Sequence, residues 1–440
     1  MLKTEGSIST AQPLLPRVGR LWVMLVVVVL ALGLVGRVAY SLSKPTSGEE
    51  LDQSLAELPD QREYLQSAQS MIERGELSFV DPRFSTLVHA FRMPGYPALI
   101  AALGADVMWL RFAQAVMDTA SAALAGAIAW RLTRSRVALL ASVVLVAFNP
   151  YLIYFSALIL TETATAFLLV AGVWALVAGL PPNLRMEHGR TAIGLRVTWW
   201  LGVVLLIAAI FFRPSLIALP LIMAVGSCLF IDRPGVVVGR RVPVSLLVGV
   251  LTLASLLPWA IRNRAVVGEW VFTTTNTGFT WYDGFNPNAT GASDQRFTQS
   301  MPELAIMNET RRSTYLTSRA WEWARGNPGR VLELTGIKAA RTFSPVPLSV
   351  QFGQNRVYFA AGLVFALPVF VLAVSGLWRG KVRPGVKLFL LMPVLYLGLA
   401  HAATVGSLRY RMPVEPMMAI LASFGAAALV RPSEAKATLS

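Results

Sequence analysis

The chain has 440 residues, of which 55% are hydrophobic and 14% are charged, and its formal net charge is +15. Soluble globular proteins carry about 25% charged residues, so this composition excludes an ordinary soluble domain. Stretches approaching the roughly 20 apolar residues that a membrane span needs recur along the whole length. The sequence therefore predicts an all-α, polytopic membrane protein.

The first apolar run, from Leu21 to Tyr40, is too long for a signal peptide, and no small-residue cleavage site follows it. We interpret it as a retained anchor rather than a cleaved signal. Further apolar runs follow at irregular intervals. In all we predict about ten spans, at residues 21–40, 112–130, 137–149, 162–180, 198–212, 215–230, 242–258, 357–377, 387–400 and 412–430.

The distribution of charge fixes an orientation for these spans. With the N-terminus inside, the cytoplasmic segments contain 18 basic and 4 acidic residues, whereas the rest of the chain contains 21 and 20. This is the positive-inside bias of a membrane protein. This charge distribution argues against a nucleic-acid partner. It predicts that the protein lies in the cell membrane with both termini in the cytoplasm.

Two segments are too polar to span and are rich in aromatic residues. The first, at 41–110, contains an amphipathic stretch from Asp60 and then a short apolar stretch that we expect to lie as a helix at the membrane interface. The second, at 259–350, begins with a turn-rich loop. The predicted organisation is an N-terminal membrane module at 1–258 with the first extracytoplasmic loop at 41–110, an external loop or small domain at 259–350, and C-terminal spans at 351–440.

The first loop holds two motifs. Asp60 and Tyr64 lie one helical turn apart and face the same way, a pattern that also occurs on solvated surface helices. In "RMPGYP", which contains Arg92 and Tyr96, two prolines fix a rigid turn. Such a turn would suit a positioned site, although proline at a helix start has the same pattern.

Glu162, in "NPYLIYFSALILTETATAF", is a carboxylate at the predicted entry of a hydrophobic span. Carboxylates in that position are costly and are usually functional. The alternative is a helix-start residue, with Thr161 as the cap and Glu162 interacting with the helix dipole.

Arginines next to prolines recur at the outer ends of predicted spans. They occur in "FFRPSL", "PWAIRNR" and "LRYRMPVEP" and break the positive-inside pattern. Three separate segments that bring arginine to one membrane face suggest an anionic ligand there. The residues are Arg213, Arg262, Arg409 and Arg411.

Other sequence features narrow the chemistry. Cys228 is the only cysteine, and the three histidines are too scattered to resemble a metal site. The sequence implies no cofactor; a divalent cation is the alternative, and the ligand spacing does not support it. No phosphate-cradling or dinucleotide fingerprint occurs, which disfavours ATP or a soluble nucleotide sugar. Asp118, inside the second span, needs a partner that the sequence does not identify.

The order of these motifs, "DQREY", "RMPGYP", "NP…TE", "FFRP", "PWAIRN" and "RYRMP", resembles the GT-C superfamily of integral-membrane glycosyltransferases. The similarity is to the branch of protein mannosyltransferases and bacterial aminoarabinose transferases, and it covers essentially the whole chain. It implies that Asp60, in the first external loop, is the catalytic base. The family commonly has a second acid directly after it, where this chain has Gln61.

The resemblance also implies a donor sugar carried on a polyprenyl or dolichyl phosphate, for which Arg213 and Arg409 match positions in basic motifs. Tyr64, Arg92, Tyr96, Glu162, Arg262 and Arg411 complete the predicted donor or substrate contacts. The predicted function is an inverting glycosyltransferase acting on a lipid, glycan or protein acceptor among membrane lipids at the outer face of the membrane. The alternative is a transporter or flippase of a lipid-linked saccharide, for which a polar path across the membrane would be expected.

Overall fold

A computed structural model describes residues 18–179, 190–231, 238–348 and 355–430, and these residues are mostly helical. The segments predicted to be cytoplasmic at 1–17, 180–189, 232–237 and 431–440 lie outside the described residues. The helices of the N-terminal half are α1 (Arg20–Leu42), α2 (Gly48–Glu57), α3 (Pro59–Arg74), α4 (Gly95–Ala102), α5 (Val107–Thr133), α6 (Arg136–Ala147), α7 (Pro150–Ser156), α8 (Glu162–Ala178) and α9 (Arg190–Ile210).

The C-terminal half continues in the same way, with short 3₁₀ segments between helices. One of these, Leu408–Val414, contains the "RYRMP" motif. The helices are α10 (Leu219–Gly226), α11 (Val238–Ser255), α12 (Leu257–Val267), α13 (Thr277–Gly284), α14 (Glu309–Gly326), α15 (Pro328–Thr342), α16 (Arg356–Arg379), α17 (Pro384–Ala402) and α18 (Glu415–Val430).

Within the described ranges, six helical segments are long and apolar enough to cross a membrane. The pair α6 and α7 passes the same test jointly but bends by 48° at Asn149–Pro150. There Asn149 Oδ1 accepts the first two backbone N–H groups of α7. Three shorter apolar helices, Glu162–Ala178, Val197–Ile210 and Pro214–Phe230, coincide with the remaining predicted spans. The helical class is confirmed, and ten crossings stay a prediction.

Small residues let the apolar helices approach closely. A Cβ atom on Gly172 of α8 would lie 2.8 Å from Leu206 of α9, and one on Gly376 of α16 would lie 2.0 Å from the Leu421 carbonyl oxygen of α18. Glycine is favoured at such helix contacts in membranes because packing, rather than hydrophobic segregation, drives the association.

Asp118 finds its partner inside the bundle. Arg37 of α1 donates from Nε to Asp118 Oδ2 at 2.5 Å, and both side chains are fully buried. The same guanidinium donates to three backbone carbonyl oxygens, of Gly33, Val146 and Ala147. Two of these carbonyls, of Val146 and Ala147, lie at the C-terminal end of α6, where the last carbonyls of a helix lack the regular i+4 partner.

The two polar segments pack together. We call them jointly the cap and define it as residues 48–102 and 277–342. An apolar cluster that includes Phe79 and Phe91 from the first segment and Phe279 and Leu316 from the second joins them. The cap also contains a two-stranded antiparallel hairpin, β1 (Phe79–Asp81) and β2 (Thr86–Val88), which the sequence analysis did not predict.

A backbone hydrogen bond connects the cap to the membrane helices. The backbone N–H of Gly95, in "RMPGYP", donates to the Phe211 carbonyl oxygen of "FFRP" at 2.9 Å. A Cβ atom on Gly95 would lie 2.7 Å from that oxygen, so only glycine fits here without displacement. This contact brings the turn that contains Arg92 next to the segment that contains Arg213.

Candidate active site

Asp60 lies in the first turn of α3, directly after Pro59, and 30% of its side chain is exposed. Proline is well suited to this first position because the helix makes no use of its missing N–H. The carboxylate accepts hydrogen bonds from two arginines, Arg92 on Oδ1 and Arg409 Nη1 on Oδ2, the latter at 2.6 Å. Arg92 and Arg409 lie far apart in the sequence, and the fold brings both of them to Asp60.

Arg92 is held by aromatic rings. Its guanidinium lies 4.9 Å from the centroid of the Tyr64 ring and also pairs with Glu63, with Nε 2.8 Å from Oε2. Tyr64 contacts Tyr96 edge to face, and the Tyr96 hydroxyl donates to Gln114 Oε1 at 2.8 Å. Both tyrosines are buried. Tyr64 contacts Arg92 directly, and Tyr96 supports the ring of Tyr64. Their predicted contact with substrate stays a prediction.

Glu162 is the first residue of α8 and is almost completely buried, with 1% of its side chain exposed. Its Oε1 accepts from Arg409 Nε at 2.5 Å and from Arg213 Nη1 at 3.4 Å. Its Oε2 has no hydrogen-bond partner. Thr161 makes no side-chain capping bond, so the helix-start interpretation does not account for Glu162 by itself.

Arg409 is the centre of this arrangement because it contacts Asp60 with one nitrogen and Glu162 with another. The neighbouring Tyr410 lies beneath Arg213, whose guanidinium is 5.0 Å from the ring centroid. We call the group the site cluster and define it as three arginines and three carboxylates: Arg92, Arg213, Arg409, Asp60, Glu63 and Glu162.

The arginines determine the protonation of Asp60. Burial by itself would raise the pKa of this carboxyl, but Arg92 and Arg409 hold it well below its usual range. Glu63 behaves differently, because burial and the nearby Asp60 charge raise its pKa despite the pairing with Arg92. Asp60 is therefore a carboxylate at neutral pH, while Glu63 is the more readily protonated of the two.

Gln61, at the position where the resembled family has a second acid, supports the backbone instead. Its Oε1 accepts from the backbone N–H of Ile159 at 3.0 Å, and its Nε2 donates to the Ser54 carbonyl oxygen at 3.2 Å. The carboxylates that accompany Asp60 in space are Glu63, one turn further on, and Glu162. Glu63 was visible in the sequence as a nearby acid but had no feature that set it apart.

Arg262 and Arg411 lie in other polar contacts. Arg262 donates to the carbonyl oxygens of Leu77 and His89 and thereby joins α12 to the hairpin. Arg411 is fully buried and pairs with Glu415 at 2.5 Å. It also donates to the carbonyl oxygens of Thr342 and Ser344. Donor binding by either arginine stays a prediction.

No trio of His, Cys, Asp or Glu side chains suited to a metal ion occurs among the residues that the structure describes. Each carboxylate of the site cluster is paired with arginine, and a guanidinium competes with a cation for the same oxygens. The question of a divalent cation, left open by the sequence, stays open.

No protein-family model matches this sequence, and no curated protein does. Solved structures do match. They include the archaeal oligosaccharyltransferase AglB from Archaeoglobus fulgidus in complex with an inhibitory peptide and a dolichol-phosphate, at 14% identity and a TM-score of 0.53. The match covers 93% of this chain and 50% of that one. The apo form of the Archaeoglobus fulgidus oligosaccharyltransferase matches at 12% identity and a TM-score of 0.51, covering 92% and 50%.

The chain thus spans about half the length of these solved chains. A likeness at such low identity concerns the fold. This chain therefore shares the fold of these oligosaccharyltransferase structures, in agreement with the membrane-glycosyltransferase fold expected from the order of motifs. The branch named in the sequence analysis stays a prediction.

Proposed function

We propose that this protein is an inverting glycosyltransferase that moves a sugar from a polyprenyl-phosphate donor to an acceptor hydroxyl. The observation that carries the proposal is Arg409, which contacts both Asp60 and Glu162 and lies beside Arg213. One carboxylate with partly exposed oxygens stands next to paired arginines. A transfer between a hydroxyl nucleophile and a phosphate leaving group needs this combination.

In the proposed reaction the acceptor oxygen attacks the anomeric carbon as the bond from that carbon to the phosphate oxygen breaks. The electron pair of the broken bond leaves with the phosphate, whose negative charge Arg409 and Arg213 stabilise. The hydroxyl proton passes to Asp60. A phosphate leaving group is already anionic and needs no general acid, so one carboxylate suffices where glycosidases use two.

Donor binding also prepares Asp60 as a base. A carboxylate held by two arginines is a weak proton acceptor. When the donor phosphate takes up hydrogen bonds from Arg409, that arginine releases part of its hold on Asp60, and the pKa of Asp60 rises. In this proposal Glu162 accepts a hydrogen bond from a hydroxyl of the donor sugar, and its unpartnered Oε2 supports that role.

The proposed lipid-phosphate donor has support from the solved structures to which this chain is similar. One of the similar solved structures is a complex with a dolichol-phosphate, and another is tethered to an acceptor peptide. A membrane-embedded chain reaches a lipid-borne donor directly. In this proposal the transferred sugar is a hexose or a pentose, and the acceptor is a lipid, a glycan or a protein.

We place the site and the cap at the outer face of the cytoplasmic membrane, with both termini inside, on the basis of the positive-inside charge distribution. A cysteine introduced at Ser54, in a Cys228→Ala background, should then react with an impermeant thiol reagent on intact cells. Protection of that cysteine, with labelling only after permeabilisation, would reverse the orientation.

Two measurements test the activity. Mass spectrometry of envelope lipids and glycoproteins, with and without the protein, should reveal a sugar that disappears from one acceptor. Purified protein supplied with that acceptor and the polyprenyl-phosphate sugar should release polyprenyl phosphate with inversion at the anomeric carbon. Accumulation of an unmodified lipid-linked saccharide on the inner leaflet, with no transferase activity in vitro, would favour the transporter instead.

A further inference from the structure

His401 is a buried histidine that is not one of the six residues of the site cluster. It is the next-to-last residue of α17, with 7% of its surface exposed. The imidazole lies flat on the ring of Tyr410, with centroids 4.1 Å apart and an interplanar angle of 13°. Neither ring nitrogen has a hydrogen-bond partner.

An unpaired histidine in this position needs an explanation. About 90% or more of buried polar groups in proteins are hydrogen-bonded, and an exception calls for an explanation such as strain, a catalytic role or a bound water or ion. The stack on Tyr410 fixes the plane of the ring and therefore the directions of both nitrogens. Ordering the ring in advance removes part of the entropic cost of binding a ligand.

Arg213 and Arg409 are the charged groups that act electrostatically on His401. A guanidinium only donates hydrogen bonds, so neither arginine offers an acceptor to an imidazole N–H. The ring of Tyr410 stacks on the imidazole of His401, and the Arg213 guanidinium also lies against the Tyr410 ring. A ligand that satisfies both arginines and the imidazole N–H must be an acceptor with several oxygens and a negative charge, which describes a phosphate.

We infer that His401 donates a hydrogen bond from its imidazole N–H to the phosphate of the polyprenyl-phosphate donor, alongside Arg213 and Arg409. This inference rests on the proposed function and adds a third donor to its phosphate site. It assigns His401 to binding, because the leaving phosphate needs no proton. Its role is to recognise the head group, and it makes no contact with the acceptor.

Farnesyl phosphate and farnesol test the inference, because they differ only in the phosphate. The full-length protein in nanodiscs should bind farnesyl phosphate more tightly than farnesol. The variant His401→Phe keeps the stack on Tyr410 and removes both nitrogens, and it should bind farnesyl phosphate about tenfold more weakly, the equivalent of ~1.4 kcal/mol. Its affinity for farnesol should not change. His401→Gln restores an N–H donor and should recover part of the loss.

The matched control is His89→Gln, since His89 is partly buried and also has an unpaired ring nitrogen but lies beside Glu309 and Arg262. This variant should bind farnesyl phosphate as the wild type does. Wild-type affinity in His401→Phe, with thermal stability intact, would overturn the inference about His401 alone. Equal binding of farnesyl phosphate and farnesol by the wild type would instead contradict the proposed phosphate donor. If His401→Phe does not fold, unchanged binding in His401→Gln and in His401→Ala, together with a lowered melting temperature, assigns His401 to structure and refutes the inference.

Discussion

Two arginine–carboxylate arrangements in this molecule have the same chemistry and different surroundings. In the membrane bundle, the Arg37–Asp118 pair is fully buried, and the remaining nitrogens of Arg37 are bonded to backbone carbonyl oxygens. In the site cluster, Asp60 is partly exposed, Arg409 divides its nitrogens between two carboxylates, and Glu162 retains an unpaired oxygen. Asp118 Oδ1 also has no partner, so the two arrangements differ in other respects: Arg37 is saturated and its pair is fully buried, whereas Arg409 is shared between two carboxylates, one of which is partly exposed.

The difference shows how a structural ion pair can be told from a functional one. A buried ion pair adds little net stability compared with apolar residues of the same volume, but breaking one partner is costly. An arginine that is shared between two carboxylates, one of them partly exposed, can instead exchange partners when an anion arrives. Four predictions, given from the largest expected effect to the smallest, test this contrast.

The largest effect is expected at Asp60. Asp60→Asn keeps the size of the side chain but removes the proton acceptor, and turnover should fall by roughly 10²–10⁴-fold. Sugar transfer by purified protein, normalised to folded material, is the measurement. Asp52→Asn and Glu57→Gln on the neighbouring α2 are matched controls and should be nearly silent. Full activity in Asp60→Asn would contradict the assignment of Asp60 as the base and would make Glu162 the next candidate.

The arginines of the site cluster come next. Arg409→Ala and Arg213→Ala should each lower turnover by about 10²–10³-fold, because a charge-assisted contact to the leaving phosphate is lost. Arg409→Lys should recover only part of the loss, since lysine cannot form the same planar, two-nitrogen contact. Arg296→Ala, an exposed arginine paired with Asp294, is the control. Unchanged turnover and donor affinity in both alanine variants would refute the phosphate site.

The membrane pair should respond in stability rather than in chemistry. Asp118→Ala leaves Arg37 buried without its counter-ion and should lower the free energy of unfolding by about 3–5 kcal/mol. Turnover per folded molecule should be preserved. The double variant Arg37→Met with Asp118→Leu should regain most of the lost stability in a thermal melt. Loss of activity in Asp118→Ala at normal stability would show that this pair takes part in function.

The smallest effect concerns acid stability. The pKa of Asp60 in the folded protein is below its unfolded value, near 3.9, so its ion pairs stabilise the fold above about pH 4. That contribution is lost as the pH falls towards the folded pKa. The melting temperature of the wild type should therefore exceed that of Asp60→Asn at pH 6, and the gap should narrow at pH 3. A gap that stays constant would mean that the arginines do not stabilise the Asp60 carboxylate.

Short motifs identified the principal members of the site cluster, and their mutual contacts were beyond the sequence. Asp60, Arg92, Glu162, Arg213 and Arg409 all follow from position and residue type. Which partner each one takes depends on packing between distant segments, such as the Gly95–Phe211 contact.

The "RYR" motif shows the limit of such predictions. Both of its arginines were expected to bind the donor. The motif folds as a 3₁₀ helix, in which each residue is rotated by about 120° from the last. Residues two apart therefore face different directions, so Arg409 meets the site cluster while Arg411 is buried against Glu415. An α-helix would also point residues two apart in different directions, so the spacing alone argues against a shared role for the two arginines. His401 became visible only through its stack on Tyr410.

The equal numbers of arginines and carboxylates in the site cluster have a consequence for the energetics of donor binding. A phosphate diester brings one negative charge into a group that is already neutral. Glu63, whose pKa burial raises, is the carboxylate best placed to compensate by taking a proton from the solvent. Donor association is then linked to proton uptake, and lower pH tightens it. In a calorimeter, the heat of binding would change with the ionisation enthalpy of the buffer.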